Sequence, residues 1–111
     1  MKEKNNLITK IFSFIILMSY KIKAGQQSQA TKLKVSLKPS TVKGKKVSVF
    51  KNGKKVADIG AKGYRDFHTI KAKDREEAEK AKKAYRARHG CDKDPRRGTP
   101  QFYSCEILWN E

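Results

Sequence analysis

The side chains best suited to chemistry in this 111-residue sequence are His68, His89, Cys91 and Cys105. Together they have the composition of a Cys2His2 zinc set. Structural zinc sites in small domains pair their ligands at C-x2–4-C or H-x3–5-H spacing, and neither occurs here, so no metal is expected. Cys91 and His89 offer a nucleophile and a base, but two residues apart at a helix end they have no reason to be oriented productively. A Cys91–Cys105 bridge is expected only of an exported chain. Gly60-Ala61-Lys62-Gly63 has two close glycines, as a phosphate-cradling loop would. It lacks the Lys-Ser/Thr that follows the second glycine of a P-loop and the flanking helices of a KH loop, and therefore reads as a turn. The sequence points to a non-enzymatic protein with no catalytic residues, no cofactor and no metal.

What remains is charge. The chain has 27 lysines and arginines against 11 aspartates and glutamates, a formal charge of +16. That is well beyond the magnitude of about 2–8 that keeps a small domain soluble, and such a field attracts polyanions. From Thr31 onward 22 basic residues against 10 acidic leave +12, so the charge belongs to the globular part and not to a tail. Lys43, Lys45, Lys46, Lys54 and Lys55 cluster about one hairpin, and Arg96 and Arg97 sit together in a later loop. These seven are the candidate nucleic-acid-binding residues. They would neutralise backbone phosphates without reading bases, with counterion release driving association. Lysines on an edge strand also have a plainer role, since they discourage edge-to-edge aggregation.

The stretch that must position this charge is Lys45 to Phe67, KKVSVFKNGKKVADIGAKGYRDF. Asn52-Gly53 is the dipeptide a two-residue type I′ hairpin turn requires, because both central residues need positive φ. Such a turn sets Lys51 against Lys54, Val49 against Val56 and Val47 against Asp58, with Lys46, Ser48 and Phe50 opposite Ile59, Ala57 and Lys55. Both sides then carry apolar residues, and the buried face is undecided. Lys32 to Lys38 alternates strictly, which predicts a half-buried strand with Leu33, Val35 and Leu37 inward. Pro39-Ser40 ends it, giving an antiparallel meander, with a fourth short strand expected at Asp66–Ile70.

Asp74 opens the clearest helix, with Glu77 at the third helical position and Glu76–Lys80 and Glu79–Lys83 as ion pairs. Ala78, Ala81, Ala84, Tyr85 and Arg88 form its face for packing on the sheet, and Gly90 is its stop. Thr99-Pro100 predicts a short C-terminal helix whose Phe102, Tyr103, Ile107, Leu108 and Trp109 would stack on bases if exposed, with core as the favoured role. The fold class is α+β: a small antiparallel sheet of three to four strands, packed by the Asp74–His89 helix and the short C-terminal helix.

Three segments are expected. Residues 1–17 are a hydrophobic N-terminal extension. Its run Ile11–Met18 is too short to cross a bilayer comfortably. It fits a secretory signal cleaved at Ala24-Gly25, an interfacial anchor, or an extension ahead of a true start at Met18. Residues 18–31, containing GQQSQAT, read as a flexible linker. Residues 32–111 are the basic α+β domain.

GAKGYRDF (Gly60–Phe67), YRARH (Tyr85–His89) and GTPQFYSCEILW (Gly98–Trp109) resemble, in the same order, motifs of a family of small basic proteins encoded by nucleocytoplasmic large DNA viruses, the giant viruses. That family is largely a domain of unknown function. The resemblance spans Lys45 to Asn110. The helix between Asp74 and Tyr85 is longer here, and the hydrophobic N-terminus lies outside the match. The resemblance implies a viral protein with a place in the virion, present in host cytoplasm or nucleus during infection, with a start at Met18 and reduced cysteines. It brings no catalytic residues. DNA bound non-specifically through its phosphates is the leading partner, and a membrane is not expected. The alternatives are a capsid-associated structural protein contacting other virion proteins, or a secreted basic protein if residues 1–24 are a signal peptide.

Overall fold

The structure, a computed structural model, describes residues 20–111. The apolar run Ile11–Met18 lies outside the described residues. Asn52 and Gly53 form the hairpin turn with φ of 53° and 80°, joining a strand at Lys45–Lys51 to one at Lys54–Ala61. With a preceding strand at Ser36–Pro39 these are β1, β2 and β3 in chain order, and β1-β2-β3 is also their spatial order, all antiparallel.

The register departs from a regular hairpin in one place, and that place decides the core. Lys51 faces Lys54 and Phe50 faces Lys55, as the turn requires, but Val49 then faces Ala57 and Val47 faces Ile59. Val56 is the extra residue of a β-bulge. Because side chains alternate with a period of two, one inserted residue flips everything beyond it to the other face. Val47, Val49, Ala57 and Ile59 thereby share one buried face, joined by Leu37 opposite Val49. Val56 is left 39 % exposed.

The segment expected to be a linker is helical. Helix α1 runs Ala24–Lys32, and the Gln26 side chain accepts a hydrogen bond from the Lys23 N–H at 2.9 Å. Its buried residues are Gln26, Gln29 and Ala30, so amides occupy the positions where an apolar stripe would have announced a helix. Gln29 Nε2 donates to the Glu106 carbonyl at 3.0 Å, which ties α1 to the C-terminus. Gly25 is needed for the approach of α1, because a Cβ there would lie 2.3 Å from His68 Nδ1. The alternating Lys32–Lys38 segment is strand only from Ser36. Lys34 takes the left-handed position after α1 at φ 61°, with Lys34 N–H bonding the Thr31 carbonyl and Val35 N–H the Ala30 carbonyl. Those bonds close the helix C-terminus, and Leu33 and Val35 still pack against the core from it.

Asp66–Ile70, expected to be a strand, is instead helix α2, Phe67–Lys71. Asp66 caps it, accepting from the Thr69 N–H at 2.9 Å, and Phe67 and Ile70, three apart, are both buried. Helix α3 spans Arg75–Arg88 with Asp74 as cap, accepting from the Glu77 N–H at 3.2 Å. The Glu76–Lys80 pair forms at 3.7 Å, whereas Glu79 pairs with Arg75 and Lys82 rather than Lys83. Gly90, at φ 63°, ends the helix. Contrary to expectation, α3 packs mainly on α2 and not on the sheet: Ala78 sits with Phe67 and Ile70, Ala81 and Trp109 lie against that cluster, and Ala84 is exposed. The sheet face is already covered from elsewhere.

That cover is α1 and the C-terminal segment. Thr99 accepts from the Phe102 N–H at 3.2 Å and Pro100 takes the first turn of α4, Pro100–Tyr103, which continues as a π-helical turn over Ser104–Leu108. Tyr103, Ile107 and Leu108 close on Val47, Val49 and Ile59 with Ala30 of α1, so the aromatic tail is core as expected. Trp109 touches both this cluster and the Phe67 cluster, and so joins the sheet half to the helical half.

Candidate functional site

Lys46 does not do what its neighbours in sequence suggest. Its ammonium is 3.2 Å from Asp66 Oδ2 and donates to the Tyr64 carbonyl, with side chains only 7 % and 1 % exposed. The Tyr20 hydroxyl donates to the same carboxylate at 2.6 Å, and Gln26 Nε2 donates to the Tyr20 oxygen at 2.8 Å. The other Asp66 oxygen accepts from Thr69 N–H and Oγ1–H, both at 2.9 Å. Burial, reinforced by the Asp66 carboxylate, pushes the Tyr20 phenol up to about 12. Burial would likewise raise Asp66, but the bonds from Tyr20 and Thr69 and the Lys46 charge outweigh it and hold the carboxyl below its usual range. Lys46 is therefore a structural cation, and it is withdrawn from the candidate phosphate contacts.

The other six candidates are exposed and fall into three groups. Lys43 and Lys45 stand where β2 begins. Lys54 and Lys55 stand at the hairpin tip, Lys55 with its ammonium 3.1 Å from Asp58. Arg96 and Arg97 lie on the loop before α4, and the Arg97 guanidinium sits 5.4 Å from the Phe102 ring centre. Arg97 shares a cleft of about 410 Å3 with Lys32, Lys34 and Lys51, cations the sequence reading did not select.

The larger concavity is a cleft of about 780 Å3 between the β3 end of the sheet and helix α3. Each of the three sequence motifs contributes to it: Tyr64 and Arg65 from the first, Tyr85, Arg88 and His89 from the second, Gln101 and Trp109 from the third. Tyr85 lies in a stack, 4.1 Å from the His89 ring and 4.4 Å from Trp109, nearly parallel to the latter at 10°. Tyr64 is 76 % exposed. Lys45 and Arg88 supply exposed positive charge, while Arg65 is 2.8 Å from Glu77. The two carboxylates on the wall are already matched, Asp58 by Lys55, Ser40 and Ser48, and Asp66 by Lys46. Sequence reasoning missed this cleft.

The histidine–cysteine set is dispersed. Cys91 and Cys105 are joined in a disulfide with their Cα atoms 5.5 Å apart, against the expectation of reduced thiols. His68 is buried with Nε2 2.9 Å from the Asn110 carbonyl, and burial pulls its pKa below the ordinary value. Among the described residues no group of three or more histidine, cysteine or acidic side chains converges as a metal site, and no helix is long and apolar enough to cross a membrane. Comparison of the chain with protein-family models, with curated proteins and with solved structures returns no match.

Proposed function

We propose that this protein is a non-enzymatic nucleic-acid binder that neutralises the phosphate backbone of DNA without reading its sequence. The observation that carries this is the partition of charge over the fold. Between Tyr20 and Arg65, covering α1 and the whole sheet, there are thirteen lysines and arginines against one carboxylate, Asp58. Between Asp66 and Glu111 there are eleven against nine. In that helical half the charges satisfy one another, through pairs such as Arg75–Glu79, Lys80–Glu76, Arg86–Asp92 and Arg75–Glu111. Among the described residues Lys43, Lys45, Lys51 and Lys54 of the sheet half have no such partners, and clustered cations on one sheet are the electrostatic footprint expected of phosphate binding.

Lys43, Lys45, Lys54 and Lys55 are the leading contacts, joined by Arg96 and Arg97 on the loop before α4. In the setting implied by the motif resemblance, the polyanion is a viral genome being packaged or coated in the virion. The test is a pair of charge-neutralised proteins bound to a mixed-sequence duplex. Changing Lys43, Lys45, Lys54 and Lys55 to glutamine should lower affinity by more than tenfold, and changing the same number of α3 cations should not. Equal losses from both would refute the assignment to the sheet.

A second reading, an exported basic protein, is favoured by the Cys91–Cys105 disulfide, since such bonds persist in oxidising compartments. Cleavage at Ala24-Gly25 would strip Tyr20 from Asp66 and Ile22 from the core. An exported form therefore has to retain Tyr20. N-terminal sequencing of the native protein distinguishes the two: a terminus ahead of Tyr20 created by cleavage in the secretory pathway supports export, and an intact cytoplasmic chain refutes it.

A further inference from the structure

We infer that the cleft between β3 and α3 is a pocket for an unpaired base of a single-stranded nucleic acid, beyond the sequence-independent contacts of the sheet. This rests on the nucleic-acid reading above and names a preferred substrate form. The wall of the cleft is an ordered stack of rings, Trp109 on Tyr85 and Tyr85 on His89, with centroid separations of 4.4 and 4.1 Å. Trp109 packs against the core, Tyr85 stacks with both Trp109 and His89, and His89 is exposed. A planar base laid on the outer face of His89 continues that stack by one more ring.

Tyr64, 76 % exposed at the same cleft, offers a second aromatic surface. Among the described residues its side chain makes no hydrogen bond and stacks on no other ring, so its face is open to a ligand. Lys45 and Arg88 provide charge for the phosphates on either side of the base. Aromatic surfaces interleaved with cations are the combination that holds single strands, because every base has a π face and every linkage a phosphate. A duplex keeps its bases stacked internally and cannot use the rings. The cleft therefore adds affinity for single strands only.

Trp109 is the only tryptophan of the chain, so selectively excited tryptophan emission comes from one side chain, on the wall of this cleft. The experiment titrates the full chain with short oligothymidylate and with a duplex of equal charge, following Trp109 emission and, in parallel, the anisotropy of labelled strands. Oligothymidylate should change the emission saturably, the duplex should not, and Tyr64→Ala and His89→Ala should each lower single-strand affinity about tenfold while duplex affinity stays within twofold. Both side chains are exposed, so neither change threatens the fold. Anisotropy showing single-strand binding with no change at Trp109, or equal losses for duplex and single strand in both variants, overturns the pocket and leaves sheet binding intact. No binding of either nucleic acid overturns the nucleic-acid reading itself.

Discussion

Lys46 and Asp66, twenty residues apart, form a buried ion pair at 3.2 Å that fastens strand β2 to the cap of helix α2. The pair is supported by further hydrogen bonds on both sides: Tyr20 and Thr69 donate to the carboxylate, and the Tyr64 carbonyl accepts from the ammonium. Removing one member of such a pair strands a charge away from water, which costs about 3–5 kcal/mol. Lys46→Met is therefore expected to lower stability by that order in chemical denaturation. DNA affinity of the protein that remains folded should change little, unlike that of Lys45→Met. A loss of affinity at Lys46 without a loss of stability would restore it as a phosphate contact.

Tyr20 is the third member of this network and gives it a signature in alkali. Its folded value of about 12 lies above the ordinary 10.0, so the folded protein keeps a proton that the unfolded chain gives up. The stabilisation is present in full below pH 10 and is lost as pH rises from 10 towards 12. Tyr20 should ionise as a separate late step near its folded value of about 12, followed by ultraviolet absorbance. Tyr20→Phe should abolish this late step and cost about 1–3 kcal/mol at neutral pH, because Asp66 loses a buried donor.

The disulfide closes the loop between α3 and α4 over a separation of 14 residues. Loop-closure entropy for that length predicts about 3 kcal/mol of stabilisation. Reduction, or Cys91→Ser with Cys105→Ser, should shift the denaturation midpoint accordingly. Unchanged stability on reduction would show that the loop is held by its other contacts, such as the Arg86 guanidinium on the Cys105 carbonyl at 2.9 Å.

Lys34 occupies a left-handed backbone position at φ 61°, where a side chain is strained by about 1 kcal/mol. Lys34→Gly should raise stability by about 0.5 kcal/mol once the greater freedom of glycine in the unfolded chain is subtracted. Thermal melts at matched ionic strength measure it.

Local chemistry was legible and long-range chemistry was not. Asn52-Gly53, Asp74, Gly90 and Thr99-Pro100 each fix their own backbone within a few residues, and all four act as their types dictate. The fold class follows from them. The bulge at Val56 was invisible because nothing local demands it; burial of Ile59 and Ala57 with Val47 and Val49 does. Helix α1 was hidden because Gln26 and Gln29 occupy its buried face, Gln26 bonding to Tyr20 just ahead of the helix and Gln29 to Glu106, which is remote in sequence. Six of the seven selected cations are exposed, whereas Lys46 could not be told apart from Lys45 without Asp66. The cleft needs three distant segments at once, so no single motif contains it.

The most direct test of the central claim is the affinity of the full chain for a mixed-sequence duplex, measured at several salt concentrations. Phosphate neutralisation by the six exposed sheet and loop cations predicts a log–log slope of about −5, the same for unrelated sequences. A flat salt dependence, or a slope that changes with sequence, would contradict it.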